Sequence, residues 1–137
     1  MNNIKKIHLI GIGGAGMSGI AEILINLDYQ ISGSDLIDTP VTHRLESLGA
    51  KIFYDHSASN ISGKDLIVIS SAISKENLEV LEAENLKIPV IKRAEMLANL
   101  MMLKESVAIA GSHGKTTITC ILAHIFSCNQ LDPTYII

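Results

Sequence analysis

Tryptophan is absent, and aromatic residues make up only 4% of the 137 positions. That shortage excludes the aromatic stacking platforms on which single-stranded nucleic acids are held. Charge of one sign is equally scarce. Eleven Lys and Arg stand against fourteen Asp and Glu, for a net charge of -3, so there is no basic excess to draw nucleic acid or an anionic membrane. No nucleic-acid partner is expected. Cysteine is limited to Cys120 and Cys128. Read on one helix, they stand about two turns, or roughly 12 Å, apart along its axis, too far for a disulfide. Free thiols in a reducing compartment follow.

A long uninterrupted apolar run is missing where one would matter most. Lys5 and Lys6 precede a stretch without acidic or basic residues, Ile7 to Ala21, in the manner of a leader peptide. Five glycines interrupt it and Glu22 ends it, and its 15 residues fall short of the roughly 18 that suggest a membrane span. A cytoplasmic protein without membrane insertion is the expectation.

What remains is a foldable composition, 47% hydrophobic and 18% charged. The length suffices for one complete core and the beginning of another. Apolar runs of strand type occur at Ile7–Ile10, around Ile31, and at 51–54, 66–69, 89–91 and 107–110. Helical patterns lie between them. Met17, Ile20, Ala21, Leu24 and Leu27 recur at the spacing of one buried face. Leu45 and Leu48 mark a second helix closed by Gly49. Leu78, Leu81, Glu82 and Asn85 lie in a third, mostly polar one, and residues 94–103 form a fourth. Ile118, Ile121, Leu122, Ile125 and Phe126 stripe the last.

Strands and helices in alternation predict an α/β fold, a Rossmann-like parallel sheet with helices on both faces. The expected domains are residues 1–103 and the start of a second unit at 104–137, opening with strand, phosphate loop and helix. The chain reads as cut off after the apolar run Tyr135-Ile136-Ile137. The stripe on the last helix would then lack a partner, offering a surface for self-association.

Two glycine loops carry the chemistry. Gly11-Ile12-Gly13-Gly14-Ala15-Gly16 follows a strand and opens a helix, the setting that gives G-x-G-x-x-G its meaning. Glycines let the backbone approach a pyrophosphate, and the helix N-terminus offers free N–H groups. Asp35, 19 residues beyond Gly16, stands where a carboxylate could accept from a ribose. This loop alone suits a dinucleotide, another diphosphate such as a UDP-sugar, or merely a tight turn.

The second loop, Gly111-Ser112-His113-Gly114-Lys115-Thr116-Thr117, ends as phosphate loops end. Backbone amides cradle phosphates, Lys115 neutralises β- and γ-phosphate charge, and the Thr116 hydroxyl ligates Mg²⁺. ATP and Mg²⁺ are the implied cofactors. The full pattern has glycine at position 109, where this chain has Ile109, a departure from generic nucleotide hydrolases. His113 suits a phosphate contact or loop filler equally.

The two loops in this order resemble the Mur ligase family. The matching segments are residues 11–19, Ser32-Gly33-Ser34-Asp35, Ser70-Ser71-Ala72-Ile73, Arg93-Ala94-Glu95-Met96-Leu97 and residues 110–117. Ser112 departs from the family's usual threonine but keeps the hydroxyl. The resemblance implies three domains in a much longer enzyme, with the central-domain acid for Mg²⁺ and the amino-acid domain outside this chain.

It further implies ATP-dependent ligation of L-alanine to UDP-N-acetylmuramate through an acyl phosphate, with Lys115 and Thr116 catalytic and this chain inactive alone. Gly11, Gly13, Gly14, Ala15, Gly16 and Met17 would bind the UDP-sugar, with Ser34, Asp35, Ser70, Ser71 and Arg93 beside them. Read without the resemblance, the serines also suit a strand-end turn, and Arg93 a solvated charge. His8 reads as a bonded strand residue. Three other readings stand beside this one: a sister ligase that attaches a recycled peptide, a UDP-sugar-binding module without catalysis, and an NAD-dependent oxidoreductase. The last has no use for Gly114-Lys115-Thr116.

Overall fold

The uninterrupted apolar run at Ile7–Ile10 implies a strand covered on both faces, and it lies at the centre of the sheet. A computed structural model describes residues 3–137. Five parallel strands, β1 (Lys6–Ile10), β2 (Gln30–Ser34), β3 (Lys51–Phe53), β4 (Leu66–Ile69) and β5 (Val90–Lys92), pair in the order β3-β2-β1-β4-β5. β1 is in register with β2 on one side, Ile7 opposite Ile31, and with β4 on the other, Ile7 opposite Leu66.

Side chains alternate across the sheet, so the two faces receive different residues. Ile7 and Leu9 of β1 pack with Leu66 and Val68 of β4 in the larger core cluster. Helix α1 (Met17–Asn26) contributes Met17, Ile20, Ala21 and Leu24 to it; α2 (Pro40–Ser47) adds Leu45, and α4 (Arg93–Met101) adds Met96 and Leu100. The opposite face is thinner. Ile10 and Ile67 meet Val80 and Ala83 of α3 (Leu78–Asn85), and Ile61 of the short 3₁₀ turn Ala58–Ile61. His8, on the same strand as Ile10 and two residues away, faces this side too.

Local signals explain the boundaries. Thr39 caps α2 in a reciprocal capping box with Thr42, with Pro40 in the first turn where a missing N–H costs nothing. Gly49, at φ +102°, lets the chain leave that helix into β3. The buried face of α3 is Glu79, Val80 and Ala83, while Leu78 and Leu81 are exposed.

One expected element is absent. Residues 107–110 are not a strand, and Val107 is 64% exposed. An apolar run becomes a strand only where a neighbour accepts its hydrogen bonds, and among the described residues none is placed beside it. The opening strand of a second unit is therefore missing, and no second phosphate-loop domain is visible. Residues 135–137 form no strand either. The stripe on α5 (Lys115–Cys128) is mostly uncovered: Ile118, Ile121 and Ile125 are exposed, Leu122 and Phe126 are half-buried, and the helix's buried residue is Ala123, off the stripe. Ile136, however, packs against the larger core, beside Gly19 of α1. Cys120 and Cys128 are both free and exposed. Among the described residues, no helix is long and apolar enough to cross a membrane.

Gly33 ties the sheet to what lies above it. A Cβ there would stand 2.5 Å from Ile12 Cδ1, 2.6 Å from Ile12 Cβ and 2.8 Å from the Leu9 carbonyl oxygen. A side chain could swing aside; a sheet carbonyl cannot. Gly33→Ala is expected to cost about 2 kcal/mol or more, in the range of core overpacking. A lowered urea midpoint checks this, and an unchanged midpoint would contradict the packing described.

Candidate functional site

In a parallel sheet, loops that leave adjacent strands in opposite directions open a crevice at the strands' C-terminal ends. Here β1 leads towards β2, while β4 lies on its other side. The Gly11–Gly16 loop leaves β1, and Ser70 follows β4. A Cβ on Gly11 would lie 3.4 Å from Ser70 Oγ, so glycine keeps the two strand ends in contact.

The loop is held by its own amides. Gly11 and Ile12 both donate to the Ser34 carbonyl, at 2.8 and 3.1 Å. Gly13 donates to Asp35 Oδ2 at 2.9 Å, and Gly14 to the Gly11 carbonyl at 3.2 Å. Ile12 is fully buried and anchors the loop from below. Gly16, at φ +78°, caps α1 without a side-chain acceptor. The amides of Ala15 and Gly16 meet no acceptor among the described residues. Exposed N–H groups at a helix N-terminus attract an anion.

Arg93 completes the wall. It opens α4 directly after β5, and its Nη1 lies 2.7 Å from where a Gly16 Cβ would be. Among the described residues, no carboxylate lies within ion-pair distance of it. A half-buried guanidinium, two open amides and a helix N-terminus thus converge on one small region, with the donor chemistry that a diphosphate requires. Asp35 engages the chain itself: Oδ2 takes the Gly13 amide and Oδ1 the Ile37 amide at 3.2 Å. Ser70 Oγ accepts from the Ala72 amide at 3.2 Å, a strand-end turn, and Ser71 is exposed. Met17 lies buried under the loop.

The second loop has the local form of a phosphate loop without a sheet behind it. Gly111 at φ +149° and Gly114 at φ +76° shape it, and Gly114 caps α5 with no side-chain acceptor. Lys115 Nζ donates to the Gly111 carbonyl at 2.7 Å, folding the ammonium over the loop. Ser112 Oγ and His113 Nδ1 lie 3.2 Å apart. Thr116 and Thr117 are exposed in the first turn of α5. The donors have the chemistry of a phosphate site, and the exposed Thr116 hydroxyl could ligate a cation there. Among the described residues, no group of three or more His, Cys, Asp or Glu is arranged to hold a metal.

Beneath the first loop lies a polar cluster that sequence patterns do not reveal. Glu79 is fully buried, as are His8 and Ser34. Glu79 Oε1 lies 3.1 Å from His8 Nε2 and accepts from Asn60 Nδ2 at 3.0 Å. Oε2 accepts from Ser34 Oγ at 2.6 Å and lies 2.7 Å from His56 Nδ1. His8 Nδ1 is 2.9 Å from Ser32 Oγ, so an Nε2–H tautomer of His8 satisfies both neighbours. Burial pushes the Glu79 pKa up, but the hydrogen bonds from His8, Ser34, Asn60 and His56 outweigh it and bring the group to about 2.

Comparison with known proteins identifies the family and its fold. The family model described as Mur ligase family, catalytic domain, matches residues 6–105. The chain is 54% identical over 134 residues to the UDP-N-acetylmuramate–L-alanine ligase of Burkholderia mallei, covering 98% of this chain but 29% of that protein. Among solved structures, it is similar to the UDP-N-acetylmuramate-alanine ligase of Thermotoga maritima, with TM-score 0.85 and 34% identity over 91% of this chain and 30% of that one. It is also similar to the UDP-N-acetylmuramate:L-alanyl-gamma-D-glutamyl-meso-diaminopimelate ligase of Neisseria meningitides, with TM-score 0.82 and 31% identity over 90% of this chain and 40% of that one.

The depressed Glu79 pKa has a measurable consequence. A carboxylate lowered from 4.5 to about 2 on folding contributes stability that is fully present above pH 4.5 and is lost as pH falls towards 2. The pH-dependent part is about 3 kcal/mol. Wild type and Glu79→Gln should therefore differ most near neutrality and converge only as pH falls to about 2. Chemical denaturation across that range measures the gap; a gap independent of pH would contradict the ionised, four-bonded carboxylate.

Proposed function

The chain belongs to the Mur ligase family, and from that premise we propose that it supplies the UDP-sugar site and the ATP phosphate loop of an enzyme joining L-alanine to UDP-N-acetylmuramate. Such a reaction makes a peptidoglycan precursor in the cytoplasm. The chain spans 29% of the length of the curated relatives it matches, so the reaction is assigned to the whole enzyme. Residues 1–103 form the UDP-sugar-binding domain in this reading, and residues 104–137 begin the ATP-binding domain.

The observation that carries the proposal is the convergence on the first loop. Arg93 lies against Gly16 with no carboxylate partner, where two amides and the start of α1 are open. That combination favours a doubly charged diphosphate. Gly11, Gly13, Gly14, Ala15 and Gly16 let the backbone approach it, Met17 packs beneath, and Ser70 and Ser71 border the crevice. Asp35 acts first by holding Gly13, with its carboxylate at the edge where a ribose would lie.

ATP supplies the activation of the muramoyl carboxylate. Within this chain, Gly111, Ser112, His113, Gly114 and Thr117 would surround its phosphates. Lys115 would release the Gly111 carbonyl to neutralise their charge, and the Thr116 hydroxyl would bind the Mg²⁺. The exposed face of α5, with Ile118, Ile121 and Ile125, is where the isolated chain would self-associate.

Two outcomes test the reading by titration calorimetry. UDP-N-acetylmuramate should bind the 137-residue chain more tightly than NADH at equal ionic strength; the reverse order would overturn the proposal in favour of a dinucleotide site. Arg93→Ala should weaken UDP-N-acetylmuramate binding about tenfold or more, the loss of one charge-assisted contact of about 1.4 kcal/mol. Unchanged affinity would remove Arg93 from the site.

A further inference from the structure

Glu79 has a carboxylate's full complement of acceptor sites, about two per oxygen, and each oxygen meets two side-chain groups that can donate. Four pieces of chain supply them: His8 from β1, Ser34 from β2, His56 from the loop after β3 and Asn60 from the 3₁₀ turn. These partners are far away in sequence, His8 by 71 positions and Ser34 by 45. Glu79 lies in the first turn of α3, where the helix N-terminus favours a negative charge.

Ser34 is the member that reaches further. Its hydroxyl donates to Glu79 at 2.6 Å, while its carbonyl accepts the amides of both Gly11 and Ile12. Those two bonds set the exit of the glycine loop from β1. A side chain on the far face of the sheet is thereby joined, through one residue, to the loop that the proposed function assigns to a diphosphate. Core packing alone would not need this arrangement, because an apolar residue at position 79 could fill the same space without four buried donors around it.

We infer that Glu79 is a positioning residue: by fixing Ser34, it sets the Gly11–Ile12 backbone in the form that receives the diphosphate. The ligand part of this inference rests on the proposed UDP-sugar reading, whereas the loop part does not. Glu79→Gln replaces one acceptor oxygen with an amide that faces donors: at Oε2 the cluster adapts by turning Ser34 or changing the His56 tautomer, at Oε1 by changing the His8 tautomer or turning Asn60, and Ser34 loses its charged acceptor in either case. Ser34→Ala removes the same link from the other side and keeps the carbonyl.

The test is amide hydrogen exchange by NMR on the 137-residue chain, with UDP-N-acetylmuramate titrated into the same samples. In Glu79→Gln and in Ser34→Ala, exchange at Gly11 and Ile12 should rise at least about tenfold more than at Leu9 in β1, and UDP-N-acetylmuramate should bind at least about tenfold more weakly. Leu66→Ala, a core change at the other end of the sheet, should raise exchange at all three amides alike and leave affinity within about twofold. Exchange at Gly11 and Ile12 that merely follows Leu9 would overturn the inference, as would unchanged affinity in both variants. Should Glu79→Gln fail to fold, Ser34→Ala decides by the same criteria. A wild-type chain that binds no UDP-sugar would defeat the functional reading while the exchange comparison still decides the loop.

Discussion

The carboxylate of Glu79, buried with hydrogen-bond partners on both oxygens, is the interaction on which the thinner half of the molecule depends. A lone carboxylate taken out of water would cost several kcal/mol and would protonate instead. Here its partners come from the central strand β1, its neighbour β2, the loop after β3 and the 3₁₀ turn. Among the described residues, no buried side-chain nitrogen or oxygen lacks a partner. The polar cluster therefore does on this face what Met17, Leu24 and Leu45 do by apolar burial on the other. The difference is directional: hydrogen bonds fix orientation as well as distance.

That orientation reaches the crevice. Ser34 is shared between the cluster and the glycine loop, and Gly33 beside it leaves room for Ile12 to be buried. With Ile12 anchored, Gly13 held by Asp35 and Gly14 by the Gly11 carbonyl, the Ala15 and Gly16 amides are left open, and Arg93 lies against Gly16. The second loop lacks such support. Lys115 rests on its own loop carbonyl, α5 is largely uncovered, and residues 107–110 have no strand beside them. Phosphoryl transfer depends on pre-positioned charge, so the two loops differ in readiness although their sequence signatures are equally clear.

Legibility in the sequence followed the range of the interaction. The parallel sheet could be read from unbroken apolar runs, and α1 from the spacing of Met17, Ile20, Ala21 and Leu24. Both glycine loops could be read because their chemistry is local. Arg93 could be placed near a phosphate only through family resemblance; its approach to Gly16 is a tertiary fact. Asp35 was expected beside a ribose, and its first partner is Gly13, a bond no spacing rule anticipates. Glu79 could not be read at all, since α3 looks mostly polar and its partners lie tens of residues away. Residues 107–110 show the opposite error: strand composition without the neighbours that make a strand.

The central claim, that a diphosphate sits on the Gly11–Gly16 loop against Arg93, is met most directly by a crystal structure of the chain with UDP-N-acetylmuramate. The account predicts diphosphate oxygens within hydrogen-bond distance of the Ala15 or Gly16 amide and of the Arg93 guanidinium, with the bonds from Gly11 and Ile12 to the Ser34 carbonyl intact. A ligand bound elsewhere, or a loop that releases Ser34 to receive it, would contradict the account.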